Sequence, residues 1–267
     1  MAIPPDILQI ASMLDDPDEN VGVNLLAQLL CRADELGDLP GHLHESGDPV
    51  VRRRAHQLQA ALTMRNRRNR FHNRLFSPEP ALVRGLEELH LLWYDRDSQT
   101  ELHEMVSGFV ADFRNAGVKT LEDIEFFMRK KNILPENESV IKVENYCIGT
   151  VIDRRTGAAS VLMALAAELA GSREFQLVRC MEQFAIFDRK DSILTGGGSW
   201  NLCKAPDLKS MELWNNRMIL QFVSSTLLSC AVNSDSYRYI MSIAQAISGL
   251  PAEEVFPHFP YPFSMKQ

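Results

Sequence analysis

The stretch Arg154–Gly171 reads RRTGAASVLMALAAELAG. Gly157 and three small residues lead into an apolar run. Leu162, Leu165, Ala166 and Leu169 share one side of a 3.6-residue period, and Gly171 closes it. The spacing predicts a helix buried against a neighbour. Many thiol enzymes present a nucleophile at such a helix start, where the macrodipole and the free N–H groups stabilise a thiolate. No cysteine begins this helix.

Just downstream the period changes. FQLVRCM and QFAIFDR are short β-rich runs that read as a pair of strands, and SILTGGGSWNLC reads as a glycine-rich connector. Helices are expected at about 208–232 and 235–248, before the proline-rich FPHFPYPF. Upstream, VENYCIGTVIDRR reads as a helix, and amphipathic patterns predict helices at about 81–94, 99–116 and 120–131. Pro4-Pro5-Asp6 opens a helix to about Leu14, a second runs on to near Gly37, and DLPGHLHESGDP reads as a loop. An arginine-dense helix follows from Val50 to about Leu75. Asp16-Pro17 and Asp48-Pro49 each precede an amphipathic helix, a weak repeat of HEAT type whose two units are too few to stand alone. The expected fold class is α+β, mostly α, with a small antiparallel sheet. Its expected segments are 1–78, 79–204 and 205–267, packed as one compact unit.

Composition narrows the function classes. The 267 residues are 45% hydrophobic and 24% charged, enough to bury a core. A net charge of -7 and a pI near 5.5 argue against attraction to nucleic acid or anionic membranes. MAIPPDILQI has no basic segment followed by an apolar run, which argues against a signal peptide. The five cysteines, at 31, 147, 180, 203 and 230, include no CxxC, so neither a disulfide framework nor a zinc knuckle is signalled. A reduced, cytoplasmic protein with no cofactor, no metal and no membrane contact is the expectation.

Several motifs have plainer explanations than a site. His42 and His44 stand two apart with only Glu45 and Asp48 close by, and loop polarity accounts for them. DDPDENV lacks the glycine and distal glutamate of a calcium loop, so a helix-capping turn fits better. LTGGGSWN lacks the Lys-Ser/Thr of a phosphate loop. The arginines are more informative. Arg52, Arg53, Arg54, Arg65, Arg67, Arg68, Arg70 and Arg74 fall in a segment, 52–78, without a single carboxylate, and Arg67, Arg70 and Arg74 share one helical face. Pairing with the chain's own carboxylates, in LEELH and LEDIEFF for example, is the first expectation. An acidic protein partner at the 52–74 helix is the second, and nucleic acid the third.

ENYCIGTVIDRRTGAASVLMALAAELAG resembles the transglutaminase-like superfamily, and more closely its SirB-type bacterial branch. In that branch an Asn begins a helix running into Arg-Arg-x-Gly, a second apolar helix follows, and a strand pair carries a histidine in a GHF-like motif. Asn145, Arg154, Arg155 and Gly157 match the first part. The segments DPVVRRRAHQLQAAL and 215–251 resemble the branch's helical flanks, though the likeness is strong only over about 143–187. The resemblance implies a papain-like core helix carrying a small sheet. It implies a catalytic cysteine at Ala159 and a histidine at Gln183, so both catalytic positions are vacant. Ser160 would point about 100° around the helix from Ala159, and glutamine has no proton to exchange near neutral pH.

Relocated chemistry would need Cys180, in the strand beside Gln183, or Cys203, after the glycine-rich connector. Buried structural cysteines are the plainer reading, since no histidine occurs between His103 and His258. The sequence therefore favours a non-catalytic binding or regulatory protein, with Asn145, Arg154, Arg155, Arg67, Arg70 and Arg74 as candidate contacts. A cysteine-dependent hydrolase or acyltransferase is the alternative.

Overall fold

The computed structural model describes residues 3–136, 141–171, 174–190, 192–195, 200–206 and 208–250. The chain forms two compact units, Met1–Arg67 and Arg68–Gln267. The division falls inside a helix instead of at the expected loop near 78, and residues 205–250 belong to the second unit.

The first unit holds α1 (Pro5–Ser12), α2 (Glu19–Cys31), a 3-10 turn at Ala33–Glu35, α3 (Leu39–His44) and the start of α4 (Pro49–Leu75). It is a unit because it closes its own core. Ile7, Leu14, Leu29, Leu36, Ala55 and Leu58 are all essentially inaccessible and belong to one cluster. Two helical hairpins thus bury a core among themselves. The segment read as a loop contains α3, because Pro40 sits in its first turn, where its missing N–H costs nothing. Arg54 is buried, and its guanidinium donates to the carbonyls of Leu14 (3.0 Å) and Asp18 (2.9 Å). Gly22 makes room for it, since a Cβ there would lie 2.2 Å from Arg54 Cζ.

In the second unit the three expected helices appear as α5 (Leu82–Trp93), α6 (Gln99–Asn115) and α7 (Leu121–Lys130). Ser98 caps α6, and Thr120 with Asp123 forms a capping box on α7. Nearly all of α5 is buried, and it packs against α6, α9, α10 and α11 as well as α8, whose ranges follow. Next come β1 (Leu134–Glu136), a 3-10 turn at Val143–Asn145, α8 (Ile148–Arg154), β2 (Thr156–Ala158) and α9 (Ala159–Ala170). Arg155, at φ 58°, ends α8, so the single helix expected over 143–155 is a 3-10 turn followed by a two-turn helix. β1 and β2 form a parallel bridge that sets Glu136 opposite Ala158.

The strand pair grows into a five-stranded antiparallel sheet: β3 (Phe175–Cys180), β4 (Gln183–Asp188), β5 (Ser192–Thr195), β6 (Asn201–Lys204) and β7 (Met211–Trp214). Their order is β6-β5-β4-β3-β7. The expected connector therefore contributes β5 and β6, while its glycines, 196–198, lie outside the described residues. The helix expected from 208 begins only at α10 (Asn216–Asn233), where Asn215 accepts the Met218 N–H, and the preceding four residues form edge strand β7. The final described helix is α11 (Tyr237–Ser248). The fold is α+β and mostly α, with the antiparallel sheet packed on α9. Among the described residues no helix is long and apolar enough to cross a membrane. Trp200 is fully buried, its indole N–H donating to the Ile133 carbonyl at 2.7 Å, and Arg129 on α7 donates to the Trp200 carbonyl at 2.6 Å.

Candidate functional site

The start of α9 holds Ala159, and its surroundings follow from three elements. The β1–β2 bridge brings Glu136 beside Ala158, the residue preceding the helix. The 3-10 turn delivers Asn145, which is 2% exposed and donates its amide to Glu136 Oε2 at 3.0 Å. Lys142 Nζ lies 3.1 Å from the same oxygen. The Asn145 amide and the Lys142 ammonium hold the Glu136 carboxyl below the ordinary carboxylate range, with a smaller contribution from the charge of Arg154. The Asn145 side-chain oxygen is buried and has no hydrogen-bond partner among the described residues. Gly157 packs closely on α8: a Cβ there would meet the Val151 side chain at 2.7 Å.

Asn145, Arg154 and Arg155 are therefore gathered near α9, though in unequal roles. Asn145 is buried in the cluster, Arg154 is exposed and acts through its charge, and Arg155 is exposed while its carbonyl accepts the Leu134 N–H at 2.9 Å. Sequence reasoning missed Glu136 and Lys142, which lie in and beyond a segment read as loop. Only the parallel bridge reveals their place.

Ala159 is the first residue of α9 and Gln183 the first of β4. Strands β3 and β4 are joined by a tight turn at Met181 and Glu182, both at positive φ. Gln183 and Cys180 are direct partners across that turn. By strand alternation they share a face with Val178, Ala185 and Phe187, which cluster with Ile193. The opposite face carries Phe184 and Leu177 together with Trp214, and Phe184 and Trp214 meet Phe222 of α10. Ala164 and Ala167 of α9 border a hollow with Phe175, Gln176, Leu177, Leu213 and Trp214 of the sheet. Ala159 is half-buried and Gln183 exposed. Ser160 is fully buried.

The thiols are scattered. Cys180 is half-buried and Cys203 is exposed on edge strand β6, three inter-strand spacings from β3, or about 14 Å. Cys147 is buried, and burial pushes its thiol far above the ordinary range. The described histidines of the second unit are committed elsewhere: His72 to the Ile247 carbonyl, His90 to Asp97, and His103 to Glu87 and Arg84. His258 lies outside the described residues.

The α4 arginines largely serve the protein itself. Arg52 donates to the carbonyls of Ser46 and Gly47, Arg53 pairs with Glu19, and Arg65 donates to the Leu30 carbonyl. In the face singled out from sequence, Arg67 is buried, Arg70 donates to Gln99, and Arg74 makes a two-bond pair with Glu88 of LEELH, at 2.8 and 2.9 Å. The face is not an open basic stripe.

No protein-family model, no characterised protein and no solved structure matches the chain at a significant level. Its function must be argued from its own residues.

Proposed function

We propose that this is a non-catalytic binding or regulatory protein, built on a degenerate transglutaminase-like fold. The observation that carries the reading is the chemistry at Ala159 and Gln183, since neither residue type attacks or moves a proton near neutral pH. The polar cluster of Glu136, Lys142 and Asn145 at the start of α9 is the contact site this reading favours, because a buried, unsatisfied amide oxygen is costly unless something donates to it. An acidic partner on α4 would have to compete with bonds that Arg52, Arg53, Arg65 and Arg74 already make.

Reaction of the native protein with an electrophilic thiol probe, mapped by mass spectrometry, tests the proposal. Exposed Cys31 and Cys203 should modify at the rate of an ordinary free thiol, and Cys147 only after unfolding. Labelling of Cys180 or Cys203 much faster than a free thiol would overturn the reading and point to a cysteine-dependent hydrolase or acyltransferase.

A further inference from the structure

Along the sequence His44 has only Glu45 and Asp48 as close ligand types, but the fold supplies another. Within the first unit His44, the last residue of α3, meets His56 in the second turn of α4. Their ring centroids are 4.3 Å apart and the planes are inclined by 65°. His44 is half-buried and His56 exposed, so the pair opens to solvent. No hydrogen bond or ion pair to a described residue restrains either ring. His72, His90 and His103, by contrast, are all committed to partners.

The separation is close to what a shared metal ion needs. A metal about 2.0–2.1 Å from each ring nitrogen lies about 3.2 Å from each centroid, so two imidazoles sharing it at a right angle have centroids about 4.5 Å apart. Tetrahedral ligation would need about 5.2 Å. Right-angle ligation is the habit of Ni2+ and Cu2+, and imidazole suits both. The charges nearby allow a cation. Arg52 and Arg53 precede His56 by one turn, but Arg52 donates to the carbonyls of Ser46 and Gly47, and Arg53 pairs with Glu19. His44 stands at the carbonyl end of α3, and the exposed Glu45 follows it. Among the described residues no group of three His, Cys, Asp or Glu is arranged to hold a metal, so water would fill the remaining positions.

We propose that His44 and His56 form a two-imidazole site for a divalent late first-row metal ion of the Ni2+ or Cu2+ type, which ties α3 to α4. The site is separate from the α9 cluster and does not depend on the reading given there.

Titration calorimetry of the full chain with Ni2+ tests it, because nickel leaves the exposed thiols of Cys31 and Cys203 unoxidised. The expected result is saturable one-to-one binding that weakens about tenfold or more in both His44→Gln and His56→Gln, with unchanged circular dichroism showing that the variants fold. His42→Gln should bind as the parent does, since two residues along α3 point its side chain to the other side of the helix. In the parent itself, Ni2+ should protect His44 and His56, but not His42, from acylation by diethyl pyrocarbonate mapped by mass spectrometry. Failure to saturate at millimolar Ni2+ would overturn the proposal. So would undiminished binding in either His44→Gln or His56→Gln, or protection of other histidines in their place, because the metal would then sit elsewhere.

Discussion

Gly149→Ala sets two opposed effects against each other. In the first turn of α8 an alanine gains at most about 1 kcal/mol of helix propensity over glycine. The new methyl would stand 2.7 Å from both His90 Cε1 and Leu102 Cδ1, and 3.1 Å from His90 Nε2. Leu102 has rotamers to spare. His90 does not, because moving the ring stretches its 3.0 Å bond to Asp97 inside a buried setting. Overpacking costs about 1–3 kcal/mol, and a buried polar group that loses its partner costs about 1–3 kcal/mol more. The net expectation is a destabilisation of about 1–5 kcal/mol. Urea unfolding followed by far-ultraviolet circular dichroism would read it as a lowered midpoint with an unchanged slope. A variant as stable as the parent, or more stable, would refute the idea that Gly149 exists to seat His90.

Three other substitutions probe separate parts of the fold. Trp200→Phe leaves the Ile133 carbonyl without its donor and part of the indole's space empty, and should cost about 2–4 kcal/mol in urea unfolding. Glu88→Ala strands the half-buried guanidinium of Arg74 and should cost about 1–3 kcal/mol in urea unfolding, more than an exposed surface pair would. For His90, burial lowers the native pKa below the unfolded value of about 6.5. The unfolded chain therefore takes up the proton first, and stability is full above about pH 6.5 and lost as pH falls from there to the native pKa. His90→Gln should flatten this part of the stability–pH curve, and parallel curves for parent and variant between pH 7.5 and 5.5 would contradict it.

What was legible in the sequence is what local chemistry fixes. Ser98, Thr120 and Asp123 cap α6 and α7 from within a few residues, so these helices fell where their periodicity and caps put them. Gly171 ends α9 in the left-handed conformation its position suggested. The short strands were hidden because four-residue runs such as SILT and MELW owe their conformation to neighbours across the sheet. A local signal did exist at Asn215: read as a helix cap, it separates β7 from α10. The candidate sites were legible only in part. Asn145 was singled out, but its partner Glu136 is placed by a parallel bridge between segments twenty residues apart. The pair His44 and His56 joins α3 and α4, and no spacing along the chain announces it.

The slot that Gly22 leaves for Arg54 has a consequence for how this chain evolves. The two positions form a lock with an order of release. Any side chain at 22 collides with the guanidinium, the first atoms meeting at 2.2 Å, while Arg54 remains. Replacing Arg54 first strands the carbonyls of Leu14 and Asp18 but leaves open space beside Gly22. Lineages that abandon the pair must therefore lose the arginine before the glycine. Relatives of this protein should carry Gly with Arg, or Gly without it, or neither, and the fourth combination should be missing.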